Sequence, residues 1–201
     1  MIKAVIFDFG RVISAQKPLS LFRSYEQDLG LEPGTINPIM FGSQAWQDTL
    51  VGRKTSKEFW YAIAPELNLH SPEEIDAFRQ RYHADEAINE GVLALIRRLR
   101  EQGRYKLAVL SNCPPGLADW LADWGMLDQF DVVFCSGDEG IAKPDPAVFE
   151  TTLERLGVAP EEAVFIDDTL SHVEVARALG LHGVLFTTAE ALADELESLL
   201  D

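Results

Sequence analysis

The chain has 201 residues, 47% of them hydrophobic, with 33 acidic against 17 basic side chains and a formal charge of −16. That length fits one α/β domain, or one domain with a modest insertion, and so acidic a surface argues against a nucleic-acid backbone or an anionic membrane as the main partner. The two cysteines, Cys113 and Cys135, lie in or beside apolar runs without metal spacing, so neither a disulfide scaffold nor a zinc site is expected; no apolar stretch reaches membrane-spanning length and no leader pattern opens the chain, which makes the cytoplasm the expected location.

In chain order, Ala4 to Phe7 form a β-favouring apolar run that stops at Asp8, with Gly10 two residues on. A run buried on both faces and bounded in this way reads as a central strand of a parallel sheet. From about residue 15 to residue 86 the character changes to aromatic-rich helical patterns broken by glycine and proline. Leu19 to Leu29 suggest one helix, and capping boxes at Thr55-Ser56-Lys57-Glu58 and Ser71-Pro72-Glu73-Glu74 start two more. The aromatics Phe41, Trp46, Phe59, Trp60 and Tyr61 are expected mostly in the core of this small bundle, with one or two facing a bound substrate. After Asn89 the pattern switches to strand and helix in alternation. Strands are expected at 107–110, 132–135, 163–166 and 184–186, a loop at 137–144, and a helix from Pro146 with Asp145 as its cap. Such alternation gives an α/β fold, a doubly wound parallel sheet with right-handed crossovers. The expected organisation is an α/β core from 1–14 and 87–201, with a small helical domain inserted at 15–86.

Polar residues fall at the strand ends. Asp8, Ser111 and Asp167-Asp168 each follow a buried run directly, and Lys143 lies in the loop after another. Each has a plain reading alone: Asp8 in a turn, Ser111-Asn112 capping a helix, Asp167-Asp168 at a helix N-terminus, Lys143 in a solvated loop. Together, in a parallel sheet, they share the crevice outside the carboxyl ends of the strands. Three carboxylates converging there repel unless a cation sits among them, and Mg²⁺ suits such oxygen ligands. A cation with a lysine and a hydroxyl beside it is an arrangement for handling phosphate. No Walker loop and no dinucleotide fingerprint is present, and an aspartate is itself a competent nucleophile toward phosphorus.

Four motifs in order, Phe7-Asp8-Phe9-Gly10, Leu110-Ser111-Asn112, Ala142-Lys143-Pro144-Asp145-Pro146 and Phe165-Ile166-Asp167-Asp168, make the chain resemble the haloacid dehalogenase superfamily of hydrolases. The resembling branch is phosphatase-like, with a small helical cap after the first strand. The resemblance implies a core sheet of Rossmann type and a Mg²⁺-dependent phosphatase of a small phosphorylated metabolite, monomeric or homodimeric. It implies Asp8 as nucleophile and metal ligand, Ser111 and the backbone of Asn112 as phosphoryl-binding groups, and Lys143 as the stabilising cation. Asp168 is implied as a direct Mg²⁺ ligand, Asp167 as a direct or water-mediated one, and Gly10 as a ligand through its carbonyl. Most phosphatases of the family carry a second aspartate where this chain has Gly10, and that acid is worth roughly 10²–10⁴ in rate. Arg11 either binds substrate phosphate or pairs with a surface acid, and His172 either shuttles a proton or buttresses the loop. The alternatives are a phosphate-binding or regulatory protein with little turnover, and a 2-haloacid dehalogenase.

Overall fold

The computed structural model describes residues 1–200. Ala4, Val5, Ile6 and Phe7 are fully buried and form β1 (Ala4–Phe7), the middle strand of the sheet. Alternate side chains enter opposite layers, as a pleated strand requires. Val5 and Phe7 join one hydrophobic cluster and Ala4 and Ile6 the other. The remaining strands are β2 (Lys106–Ser111), β3 (Val132–Cys135), β4 (Ala163–Asp167) and β5 (His182–Leu185), all parallel, in the order β3-β2-β1-β4-β5.

Between β1 and β2 come five helices, α1 (Leu19–Asp28), α2 (Ile36–Phe41), α3 (Gln44–Leu50), α4 (Ser56–Ile63) and α5 (Pro72–Ala84), followed by α6 (Glu90–Gln102). Beyond β2 lie α7 (Leu117–Asp123), α8 (Ser136–Glu139), α9 (Pro146–Leu156), α10 (Leu170–Ala178) and α11 (Ala189–Leu200). The face of α6 carrying Val92, Leu93, Ile96 and Leu99 covers one side of the sheet together with Leu192 and Leu196 of α11. Val148, Phe149 and Leu153 of α9 cover the other with Ala176 of α10. Each such side chain contributes about 1.5–3 kcal/mol on burial.

The strands match the expected runs, with β5 two residues earlier than expected. The expected loop at 137–144 differs in its first half, which is the short helix α8. Gly140, at φ +78°, ends that turn, while Glu139 takes two hydrogen bonds from Arg155 at 2.6 and 2.8 Å and steadies it.

Helices α1 to α5 gather around a hydrophobic cluster of their own, built on Tyr25, Trp60, Phe78 and Tyr82. Both expected capping boxes are formed. The chain leaves and rejoins the sheet region through one paired seam: Ser14 bridges Ile88, Ala15 N donates to Ala87 O at 2.7 Å, and Asn89 N donates to Ile13 O at 2.8 Å. A second junction is a contact of glycines. Gly52, at φ +69°, lies so near Gly137 that a Cβ there would meet the Gly137 carbonyl oxygen at 2.3 Å. Among the described residues no helix is long and apolar enough to cross a membrane.

Candidate active site

Register assembles the crevice. Phe7 pairs with Val109 on one side and Ile166 on the other, which brings Asp8, Leu110 and Asp167 level across three adjacent strands. Lys143 reaches all three. Its Nζ donates to Asp8 Oδ1 at 2.8 Å, to Asp167 Oδ2 at 2.6 Å and to the Leu110 carbonyl at 3.0 Å. The lysine side chain is 1% exposed, and an ion pair so placed is held by hydrogen bonds that fill its donor capacity. Asn112 anchors the loop that carries it: its side-chain amide donates to the Lys143 carbonyl and accepts from the Lys143 N–H, each at 2.8 Å. The Asn112 side chain is thus engaged between two loops.

The two carboxylates on Lys143 are pushed apart in acidity. Burial raises Asp8 to about 6, with the Lys143 charge opposing and the Asp167 charge adding to the rise. Burial acts the same way on Asp167, but hydrogen bonds from His172 and Lys143 and the lysine charge outweigh it and hold it below its ordinary value. Burial by itself would lower Lys143; its two carboxylate partners raise it instead. Asp167 is therefore the fixed anion, and Asp8 is the one whose charge needs further support.

Asp167 is fully engaged. Its Oδ1 accepts from Thr169 N at 2.8 Å, and its Oδ2 meets His172 Nδ1 at 3.1 Å as well as Lys143. The buttressing alternative for His172 is the one this contact supports. One oxygen from each of Asp8, Asp167 and Asp168 lies within 4.8 Å of the others. Three converging carboxylates of this kind fit a hard divalent cation.

The loop after β1 is an irregular helical turn. Arg11 sits in the left-handed region at φ 60°, ψ 4°, which costs a non-glycine residue about 1–2 kcal/mol; its N–H donates to Ser14 Oγ at 3.1 Å. This conformation turns the guanidinium onto Asp168, Nε to Oδ2 at 2.9 Å. The acid that Arg11 meets is a crevice carboxylate and not the surface acid expected as one of its two alternatives. Gly10 has ordinary dihedrals of −65° and 123°, and a Cβ added there would meet nothing within 4 Å.

Ser111 is buried, and together with Asn112, Gly10 and Arg11 it borders a cavity of about 560 Å³ that extends beneath the helical segment. Of the five singled-out aromatics, Phe59 and Trp60 are buried in the core of the helical segment and Trp46 and Tyr61 pack against it, as expected, while Phe41, Trp46, Phe59 and Trp60 also border the cavity. The reason is that α2, α3 and α4 each present one side to their own core and another to the cavity. The sequence reading did not single out Trp120 or Lys17 as cavity residues, or the Cys113–Cys135 contact. Trp120 belongs to the apolar pattern of α7 and carries no motif, so only the packing assigns it. Both thiols are free, with their sulfurs 3.0 Å apart, Cys135 at the end of β3 and Cys113 in the loop after β2.

A family model for haloacid dehalogenase-like hydrolases matches residues 2–180. The chain is 27% identical over 202 residues to a sesquiterpene phosphatase from Aspergillus oryzae, covering 98% of this chain and 96% of that one. It superposes at a TM-score of 0.76 and 26% identity on a predicted HAD-like hydrolase from Porphyromonas gingivalis, covering 100% and 98% of the two chains. A HAD-family enzyme from Bacteroides thetaiotaomicron, solved with magnesium and inorganic phosphate, shares the fold at a TM-score of 0.72 and 24% identity, over 90% and 92% of the chains.

Proposed function

The chain belongs to the haloacid dehalogenase-like hydrolase family, and from that premise we propose that it is a Mg²⁺-dependent phosphatase that hydrolyses a small phosphorylated metabolite through an aspartyl-phosphate on Asp8. The observation that carries this reading is Lys143, buried between Asp8 and Asp167 with Asp168 alongside. In this reading the Asp8 carboxylate attacks phosphorus and the bond to the leaving oxygen breaks. Water then attacks the acyl phosphate, which returns Asp8 and releases inorganic phosphate. Lys143 keeps Asp8 ionised and offsets charge on the phosphoryl oxygens, and the Ser111 hydroxyl and Asn112 backbone hold those oxygens. Asp8, Asp168 and the Gly10 carbonyl would hold Mg²⁺, with Asp167 joined to it through water because its own oxygens are already hydrogen-bonded. When bound, the metal supplies positive charge that favours ionised Asp8 and binds the transferring group. The segment 15–86 serves as a cap over the crevice.

Gly10 sets the limit of this chemistry, since no carboxylic acid stands there to protonate the leaving group. Acyl and aryl phosphates, whose leaving groups need little help, are the expected good substrates, and simple alkyl phosphates the poor ones.

The test is a panel of phosphorylated metabolites assayed with Mg²⁺ and with chelator. Metal-dependent phosphate release, reduced in Asp8→Asn by on the order of 10⁴ or more, is the expected result. Full activity in Asp8→Asn removes the nucleophile assignment. Binding without turnover across the panel would mark a phosphate-binding protein instead, and halide release without metal would mark a dehalogenase.

A further inference from the structure

The cavity beside Ser111 has two features that bear on the organic half of the substrate. The first is its surface. Large apolar side chains left in solvent are ordinary when scattered and informative when gathered at one concave site. Leu19, Phe41 and Trp120, exposed by 73%, 39% and 36%, come from three different helical regions and all border this cavity. Behind them lie Met40, Trp46 and Phe59, which continue the apolar wall inward.

The second feature is the state of its charges. Arg11, Lys17 and Glu86 are the charged residues that line it, and each already has a partner in the chain. Arg11 holds Asp168 at 2.9 Å. Lys17 and Glu86 hold each other at 3.1 Å, and the lysine also donates to the Tyr82 carbonyl at 2.9 Å. His83, the remaining titratable group on the wall, is pushed down to about 4, chiefly by burial, with Arg79 and Lys17 adding to the shift, so it is neutral at pH 7. A second charged group on a substrate would enter without a free counter-charge and would lose hydration. A volume of about 560 Å³ is that of a pocket for one drug-sized organic group.

We propose that the substrate is an aryl or acyl phosphate whose organic group is neutral and apolar, with its phosphate at Asp8 and Ser111 and its carbon skeleton in this cavity. This rests on the phosphatase reading above for the position of the phosphate. It excludes phosphorylated amino acids and nucleotides as preferred substrates, because each brings a further charge for which the wall has no free counter-charge.

The experiment uses n-alkyl monophosphates from propyl to decyl, in which the leaving group stays a primary alcohol while apolar length grows. Dissociation constants are read from tryptophan fluorescence of the full chain without added metal, and kcat/KM is read with Mg²⁺ on acyl phosphates of the same chain lengths. Burial of each methylene tightens binding by roughly fourfold until the cavity is filled, and hexyl phosphate binds more than about tenfold more tightly than phosphoserine. Trp120→Lys and, separately, Phe41→Lys flatten the dependence on chain length; both positions are partly exposed, so the fold tolerates them, and circular dichroism verifies this. Leu127→Lys, at a residue 38% exposed and outside the cavity, leaves the slope as it is. Affinity independent of chain length, or phosphoserine binding as tightly as hexyl phosphate, overturns the proposal. Rising affinity with no turnover of any phosphate retains the apolar seat and removes the phosphatase reading; metal-dependent turnover with a flat series does the reverse.

Discussion

At the strand ends, a single lysine is hydrogen-bonded to Asp8, Asp167 and the Leu110 carbonyl, and Asp167 is further held by Thr169 and His172. Under the helical segment, by contrast, contacts are between rings: Trp46 on Phe59 at 5.4 Å, Trp60 on Tyr82 at 5.2 Å, Tyr25 on Phe78 at 5.5 Å. The two regions respond differently to change. In the crevice the buried charges are held by particular partners, so loss of the lysine leaves two buried carboxylates without their cation. Around the cavity, apolar groups of similar volume replace one another for less than about 1.5 kcal/mol. Chemistry is thereby tied to the sheet, while the shape open to a substrate can change without loss of the fold.

The largest expected effect comes from Lys143→Met. It leaves Asp8 and Asp167 facing each other without their shared cation, and metal-free protein should lose about 3–5 kcal/mol, measured by urea unfolding, together with turnover. A loss under 1 kcal/mol would mean the crevice is no more particular than the cavity. Next is Gly10→Asp. Because a side chain there meets nothing within 4 Å, the acid can be installed without strain, and kcat on alkyl phosphates should rise by about 10²–10⁴ with little change on acetyl phosphate. An equal rise on both, or none, would break the account of Gly10.

A third test uses the sign of the Asp8 shift. The folded chain raises this carboxyl from 3.8 to about 6, so between those pH values the folded state keeps a proton that the unfolded state has released. Stability from this group is then lost as pH rises through that window, and the penalty is complete above it. Metal-free Asp8→Asn, which mimics the protonated form, should exceed the wild type in stability at pH 7 by up to about 3 kcal/mol and match it below pH 4; Mg²⁺ should narrow the gap. Thermal unfolding across pH checks it, and a less stable Asp8→Asn at pH 7 would contradict the assignment of burial as the dominant cause. The smallest effect belongs to the helical segment. Ser71→Ala removes the hydroxyl that caps α5 and should cost about 1 kcal/mol with kcat on acetyl phosphate within twofold. A tenfold fall in kcat would show that the two regions are energetically coupled.

Much of this was legible in the residues. The buried runs and their alternation with helices determined a parallel doubly wound sheet, because periodicity and breakers are local properties of the chain. The strand-end placement of Asp8, Ser111, Lys143 and Asp167-Asp168 was legible for the same reason: parallel strands must end on one side. Which oxygen each group holds was not, since that depends on register between segments 159 residues apart in sequence. The structure alone decided that Asp167 is locked by Lys143, Thr169 and His172, that Arg11 turns back onto Asp168 in a left-handed conformation, and that Asn112 clamps one loop to another. It also decided that Leu19, Phe41 and Trp120 share one cavity with every charged neighbour already paired. Local sequence carries propensity and pattern; burial and partnership between distant side chains are created only when the chain packs, and here they together set the charge on Asp8 and the character of the space beside it.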